Sequence, residues 1–166
     1  MDQMTVITLT PWEYQHASNI GIARFAANWE SINAKHYKQE RMQDDRTAQV
    51  AATICEIAVA KATNRYWSGS VWSAKDHQKY KSIADVGKNI EVRRSRNNNT
   101  VAVRKHQLGK NLVLFGAYAI PEEFRQVEIW GWLNYDKAWE LGYASEYDQE
   151  NTRLINKDLF NELESK

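Results

Sequence analysis

Ile83-Ala84-Asp85-Val86-Gly87-Lys88-Asn89-Ile90-Glu91-Val92-Arg93 reads as two short strands folded back around a tight turn. Gly87 and Asn89 suit a reversal, and the flanking Ile and Val suit strands. A reversal centred on Lys88 sets Gly87 against Asn89, Val86 against Ile90, and Asp85 against Glu91. Directly opposed residues on antiparallel strands have Cβ atoms ~5 Å apart. Two carboxylates so close repel each other unless a cation or a proton lies between them. Strand alternation puts Glu91 and Arg93 on one face and Val92 on the other. Two hard oxygen ligands beside a guanidinium favour Mg2+ or Mn2+ with several retained waters. A plainer reading fits the same residues: two acids flank a surface turn, and Arg93 pairs with one of them.

Upstream of this hairpin the pattern is helical. Thr10-Pro11-Trp12-Glu13 is a helix start, with Thr as N-cap, Pro at the first helical position and Glu three residues after the cap. The helix runs from about 11 to 28, with Ile22, Phe25 and Trp29 as its apolar stripe. Residues 30–46, including His36, are polar and poorly patterned. A second helix spans roughly 44–63 and begins near Asp44-Asp45, acids suited to a helix N-terminus. Val50, Ile54 and Ile57 form its greasy face. Ala51, Cys55, Ala58 and Ala62 make a flat side that can press closely on a sheet. Glu56 stands among these small residues. It lies five positions before Lys61, off the i, i+4 spacing, so that lysine is a poor helical partner. A mid-helix Glu is ordinarily solvated.

Downstream the pattern is β-rich. Asn64 to Ser73 reads as a turn leading into a short strand or loop, and Thr100–Arg104, Asn111–Tyr118 and Gln126–Leu133 read as strands around the Asn97-Asn98-Asn99 loop. A short helix near Asp136–Leu141 and an apolar cluster of Leu154, Ile155, Leu159, Phe160 and Leu163 close the chain. The fold class is α+β (mixed α/β), with N-terminal helices followed by a mixed, largely antiparallel sheet. One domain covers 1–166, with a helical extension at about 9–40, a core at about 44–133 and a tail at 134–166.

Composition narrows the function classes. A chain of 166 residues, 43% hydrophobic with seven Trp and eight Tyr, holds a real core. The lone Cys55 permits no internal disulfide and reads as a buried structural thiol. His16, His36, His77 and His106 show no metal-ligand spacing, and Gly69, Gly87, Gly109 and Gly116 are isolated rather than part of a phosphate loop. No apolar run approaches the length of a membrane span, and no signal peptide is evident. These features predict a cytoplasmic protein with no membrane partner. Net charge is only +1, but it is unevenly spread. Residues 65–110 hold eleven Lys or Arg against Asp76, Asp85 and Glu91, a local +8, which leaves the remainder at −7. Such a basic middle suits a phosphate-bearing partner. Trp67, Trp72, Trp130 and Trp132 could stack on bases, although Trp130 and Trp132 lie in an apolar strand and read as core.

The order of these segments resembles the PD-(D/E)XK nuclease superfamily (restriction-endonuclease-like), in particular its small phage-encoded members. The matching segments are Cys55-Glu56-Ile57-Ala58-Val59-Ala60-Lys61, Ala84-Asp85-Val86-Gly87, Ile90-Glu91-Val92-Arg93, Asn111-Leu112-Val113-Leu114 and Ile129-Trp130-Gly131-Trp132-Leu133. The opening Leu9-Thr10-Pro11-Trp12-Glu13 through Gly21-Ile22-Ala23-Arg24 is similar as well, so the resemblance spans about residues 9–133. It implies a restriction-endonuclease-like core and a Mg2+-dependent endo- or exodeoxyribonuclease, with Mn2+ able to substitute. In that reading Asp85 and Glu91 bind the metal, with the carbonyl of Val92 as a further ligand. Glu56 contacts the metal directly or through water, and DNA phosphodiesters are hydrolysed by metal-activated water. The family's third motif residue is usually Lys, and here it is Arg93. Arg stays protonated and cannot act as a base, but it can grip a phosphate bidentately. Lys105, on the following strand, is the candidate replacement amine. Arg94 and Arg96, sharing a strand face with the Asn loop beyond them, and Arg104 and Lys105 form a basic rim suited to backbone phosphates. The same rim equally suits a strand edge guarded by charge. Two alternatives remain beside the nuclease: a catalytically weak nucleic-acid-binding protein on the same fold, and a phage protein that inhibits a host defence factor. Homodimerisation is open, and a phage-encoded member would act in the host cytoplasm.

Overall fold

The computed structural model of the chain describes residues 5–27, 39–71, 84–123, 125–146 and 148–163. Among the expectations above, Trp29, His36, Trp72, His77 and Ile83 lie outside the described residues. The chain is α+β. It begins with strand β1 (Thr5–Thr8), helix α1 (Pro11–Ala27) and helix α2 (Gln39–Thr63). There follow β2 (Ile90–Arg94), β3 (Thr100–Arg104), β4 (Val113–Ala119), β5 (Gln126–Asn134), α3 (Tyr135–Leu141), β6 (Tyr143–Ser145) and β7 (Asp148–Asn156). Among the described residues no helix is long and apolar enough to cross a membrane.

The start of α1 follows from local chemistry. Thr10 Oγ1 accepts the Glu13 N–H at 3.1 Å, and Glu13 Oε1 accepts the Thr10 N–H at 2.7 Å. This reciprocal pair satisfies two orphan donors of the first turn. The buried face of α1 is not the expected Ile22–Phe25 stripe, since Ile22 is half exposed and Ala17, Gly21 and Arg24 turn inward instead. Gly21 explains the rotation. A Cβ built there would lie 2.6 Å from the Val50 Cα of α2, so the helix backbones meet where only hydrogen fits. On α2 the expected greasy and small-residue faces both pack inward. Ile54, Cys55, Ile57, Ala58 and Val59 are all buried.

The strands form two sheets rather than one meander. The first has the order β1-β5-β4-β2 and the second β3-β7-β6. Within the first, β4 pairs antiparallel with β5 and β5 with β1, while β2 pairs parallel with β4. The parallel pairing arises because the chain leaves β2, contributes β3 to the second sheet, and only then returns as β4. The sheet therefore has two buried faces. Helices α1 and α2 cover one of them, over Ile90, Val92, Phe115, Val127 and Ile129. The second sheet and α3 cover the other, over Leu114, Trp130 and Leu133. Trp130 is core as expected, whereas Trp132 is 40% exposed. Gly131, at φ +124, lets the next residue pair with Asn161, whose carbonyl would lie 1.8 Å from any Cβ at this position.

Two segments read as strands or tail behave differently. Residues 84–86 contribute two isolated antiparallel bridges, Val86 to Ile90 and Val86 to Trp67, instead of a full strand. Residues 143–156 are not a loose tail: β7 pairs with β3 over five residues, from Thr100 against Asn156 to Arg104 against Thr152.

Candidate metal and phosphate site

The reversal at Gly87-Lys88-Asn89 has the register that the sequence implies. Val86 and Ile90 exchange both backbone hydrogen bonds, each at 3.2 Å, and Gly87 takes φ +57. Asp85 therefore stands alongside Glu91 at the edge of the first sheet. Odd-numbered backbone groups of this strand serve β4, as Ser95 N–H to the Ala117 carbonyl at 2.7 Å shows. The even-numbered ones face the open edge. There the Val92 N–H donates to Asp85 Oδ2 at 2.9 Å. A strand residue sends its N–H and C=O to the same side, so the Val92 carbonyl aims at the same edge.

The segment that precedes this hairpin holds it in place. The Ser68 N–H and hydroxyl both donate to the Asp85 carbonyl at 3.2 Å, and the Gly87 N–H donates to the Tyr66 carbonyl at 2.6 Å. Trp67 bridges Val86. Its indole N–H donates to Glu56 Oε1 at 3.1 Å. Glu56 is thus not the ordinary solvated helical residue; it is 5% exposed. Its main partner, which the sequence reading missed, is Arg24 of α1. Arg24 donates from its two terminal nitrogens to Glu56 Oε2 at 2.7 Å and Oε1 at 3.1 Å, and from Nε to the Ser70 carbonyl at 2.7 Å. The only sequence cue was a charged residue seven positions after Ala17, on the face that small residues press against α2. Lys61, as expected, pairs elsewhere: it meets Glu13 at 2.8 Å.

Electrostatics unites the three acids. Burial first, then the charges of Glu56 and Glu91, pushes Asp85 well above the usual carboxylate range. Burial also raises Glu91, with Glu56 adding to the effect and Arg93 opposing it. Arg93 reaches Glu91 at 3.5 Å and hydrogen-bonds the Tyr135 side chain, while its Nε is buried without a hydrogen-bond partner. Tyr135 is fully buried at the start of α3, and its hydroxyl accepts the Arg104 N–H at 2.8 Å. Among the described residues, no three His, Cys, Asp or Glu side chains converge into a ready-made metal cage. Both Glu56 oxygens are occupied by Arg24, so the free donor set is Asp85, Glu91 and the Val92 edge.

The expected basic rim separates into parts. Arg94 leaves the opposite strand face from Arg93 and lines a cavity beneath α2. Arg104 turns to the second sheet, where it hydrogen-bonds Thr152 and lies 4.0 Å from Asp148. Lys105 is exposed in a 3-10 turn over Lys105–Gln107 rather than on a strand, and the lysine whose charge acts on Glu91 is Lys110. The Asn loop is braced internally. Asn97 Oδ1 accepts the N–H groups of Asn99 and Thr100, and Asn98 Oδ1 accepts from Trp130 and Lys157. Cys55 is buried, and desolvation pushes its thiol up to about 12, as befits an inert core residue. Compared with protein-family models, with curated proteins and with solved structures, the chain finds no match.

Proposed function

We propose that this chain is a Mg2+-dependent nuclease of the PD-(D/E)XK type that hydrolyses DNA phosphodiester bonds. The observation that carries the reading is the apposition of Asp85 and Glu91 at a buried sheet edge, where both carboxylates are held above their usual pKa range. Arg93 offsets only part of the repulsion between these like charges, and a divalent cation would remove the rest. Asp85, Glu91 and the Val92 carbonyl are the residues that would hold it, with water completing the shell. Mn2+ would substitute. Glu56 lends its charge from within the Arg24 pair. A bound divalent ion supplies neutralisation of the phosphate and a water acidic enough to be a nucleophile at neutral pH.

The chain's own groups do the rest. Asp85 is fixed through Oδ2 by the Val92 N–H at 2.9 Å. Arg93, beside Glu91, would offset the charge that grows on a phosphate bound there. Arg93 cannot deprotonate water, so proton removal falls to the carboxylates or to solvent. Lys110, already acting on Glu91, is better located than Lys105 to supply an ammonium.

The test is cleavage of labelled single-stranded and duplex DNA with Mg2+ or Mn2+. Wild type should cut, and Asp85→Ala and Glu91→Ala should each cut at background. If wild type with Mn2+ does no better than the double variant, the nuclease reading fails. DNA binding without cleavage would favour the non-catalytic alternative.

A further inference from the structure

A cavity of about 610 Å³ opens on the other face of β2, between the middle of α2 and the turn that joins β4 to β5. Ile22, Val50, Ile54, Ile120 and Pro121 supply apolar walls, with Tyr14 beside them. Three cations line the same space: Arg46, Arg94 and Arg125, the last of which donates to the Leu9 carbonyl at 2.7 Å. Among the described residues, neither the guanidinium of half-buried Arg94 nor that of exposed Arg46 has a hydrogen bond or ion pair. A half-buried guanidinium without a counterion is unusual, since desolvated charges are ordinarily paired. Burial lowers its pKa, with Arg96 adding to the effect and Cys55 and Tyr118 opposing it. Glu122 and Glu123 stand exposed on the rim and offer acceptors.

We propose that this cavity binds one nucleoside monophosphate unit, with the base between the apolar walls and the phosphate on Arg94 and Arg46. The size lies within the range of small-molecule sites. Guanidinium matches phosphate bidentately, and the rim carboxylates match base N–H donors. Arg94 lies two residues beyond Val92 on the same strand. That is roughly 7 Å along the strand, and because Arg94 and Glu91 leave opposite faces, a nucleic-acid strand that reaches both must round the open edge of β2. This inference deepens the nuclease reading and rests on it for biological meaning: a strand whose phosphate sits at Asp85 and Glu91 would round the sheet edge and place a nearby unpaired nucleotide in the cavity. The substrate class is therefore single-stranded or locally unpaired DNA.

The experiment is calorimetric titration of the full chain in EDTA with dAMP, deoxyadenosine, inorganic phosphate, decanoate and a 5′-phosphorylated oligo(dA). Binding of dAMP should exceed that of deoxyadenosine and of phosphate by about tenfold or more, the worth of one charge-assisted contact. Arg94→Gln should weaken dAMP by a similar factor, with Arg94→Lys restoring part of the loss. The Arg94 side chain has no hydrogen-bond or ion-pair partner among the described residues, so its removal orphans none of them. Asp85→Ala should leave dAMP binding unchanged. Oligo(dA) binding tighter than dAMP assigns the site to a strand, and equal binding assigns it to a free nucleotide; either result upholds the pocket. Unchanged dAMP binding in Arg94→Gln, no dAMP binding at all, or decanoate binding as well as dAMP overturns it. If DNA is cut yet dAMP does not bind, the pocket falls and the nuclease stands. Where dAMP binds but no DNA is cut, the converse holds.

Discussion

Arg24 on α1 and Glu56 on α2 form a two-pronged ion pair, at 2.7 and 3.1 Å, under the segment that carries Asp85. Both side chains are nearly buried, at 11% and 6% exposure. Removing one partner of such a pair strands the other charge in low dielectric. Arg24→Met should therefore destabilise the fold by about 3–5 kcal/mol. Arg24→Met combined with Glu56→Gln should recover a large part of that loss. Urea denaturation of the four members of the cycle reads both effects, and equal stability of wild type and Arg24→Met would contradict the pairing.

Gly21 makes a prediction opposite in sign to helix propensity. Alanine favours an exposed helix interior over glycine by about 1 kcal/mol. Here the added methyl would lie 2.6 Å from the Val50 Cα and 2.7 Å from Thr53 Oγ1. Gly21→Ala should thus lower stability, by about 1–3 kcal/mol of overpacking strain. A Tm at or above wild type would show that α1 and α2 do not meet so closely.

The acid cluster gives a pH dependence of defined sign. Asp85 has a raised folded-state pKa, from burial first and then from Glu56 and Glu91. A raised carboxylate destabilises the fold when both states are ionised, so its contribution improves as pH falls through the folded pKa towards the unfolded value of about 4. In EDTA, the Tm difference between Asp85→Asn and wild type should be largest at alkaline pH and shrink as pH falls through that window. Other carboxylates, such as Glu13, run the other way. Burial alone would raise Glu13, but Lys61 and Thr10 hold it low, so its stabilisation is present above about 4.5 and is lost in stronger acid. A pH-independent difference would mean that Asp85 is not perturbed.

Arg93 separates metal binding from turnover. Arg93→Ala should lower kcat by about 10²–10³-fold, the usual worth of one preorganised group at developing charge. The Mg2+-induced rise in Tm should persist, because Asp85 and Glu91 remain. Arg93→Lys should rescue only part of the rate, since an ammonium lacks the planar fork. Loss of the Mg2+ effect in Arg93→Ala would make the arginine part of the metal site instead.

How much of this the sequence discloses depends on how local the cause is. The Thr10–Glu13 capping box, β3 at Thr100–Arg104 and the Val86–Ile90 register were all legible, because each is set by residues a few positions apart. Arg24 was not, because its partner is 32 residues away and nothing on α1 announces a buried charge. The β7 strand was hidden by its composition: Asp148 to Asn151 is polar, and only Thr152 and Ile155 are buried. The splitting of the basic rim was also illegible, since Arg104 and Arg94 are separated by which sheet and which face they serve. At the candidate site, the Asp85–Glu91 apposition was readable and the Arg24 and Trp67 clasp on Glu56 was not.

The central claim is that Asp85 and Glu91 hold a divalent cation. Its most direct test is Mn2+ titration followed by electron paramagnetic resonance, with Mg2+ as competitor and circular dichroism to verify folding. Wild type should bind Mn2+ saturably and release it to Mg2+, whereas folded Asp85→Asn and Glu91→Gln should bind at least about tenfold more weakly. Mn2+ binding that is absent in wild type, or unchanged in both variants, would contradict it.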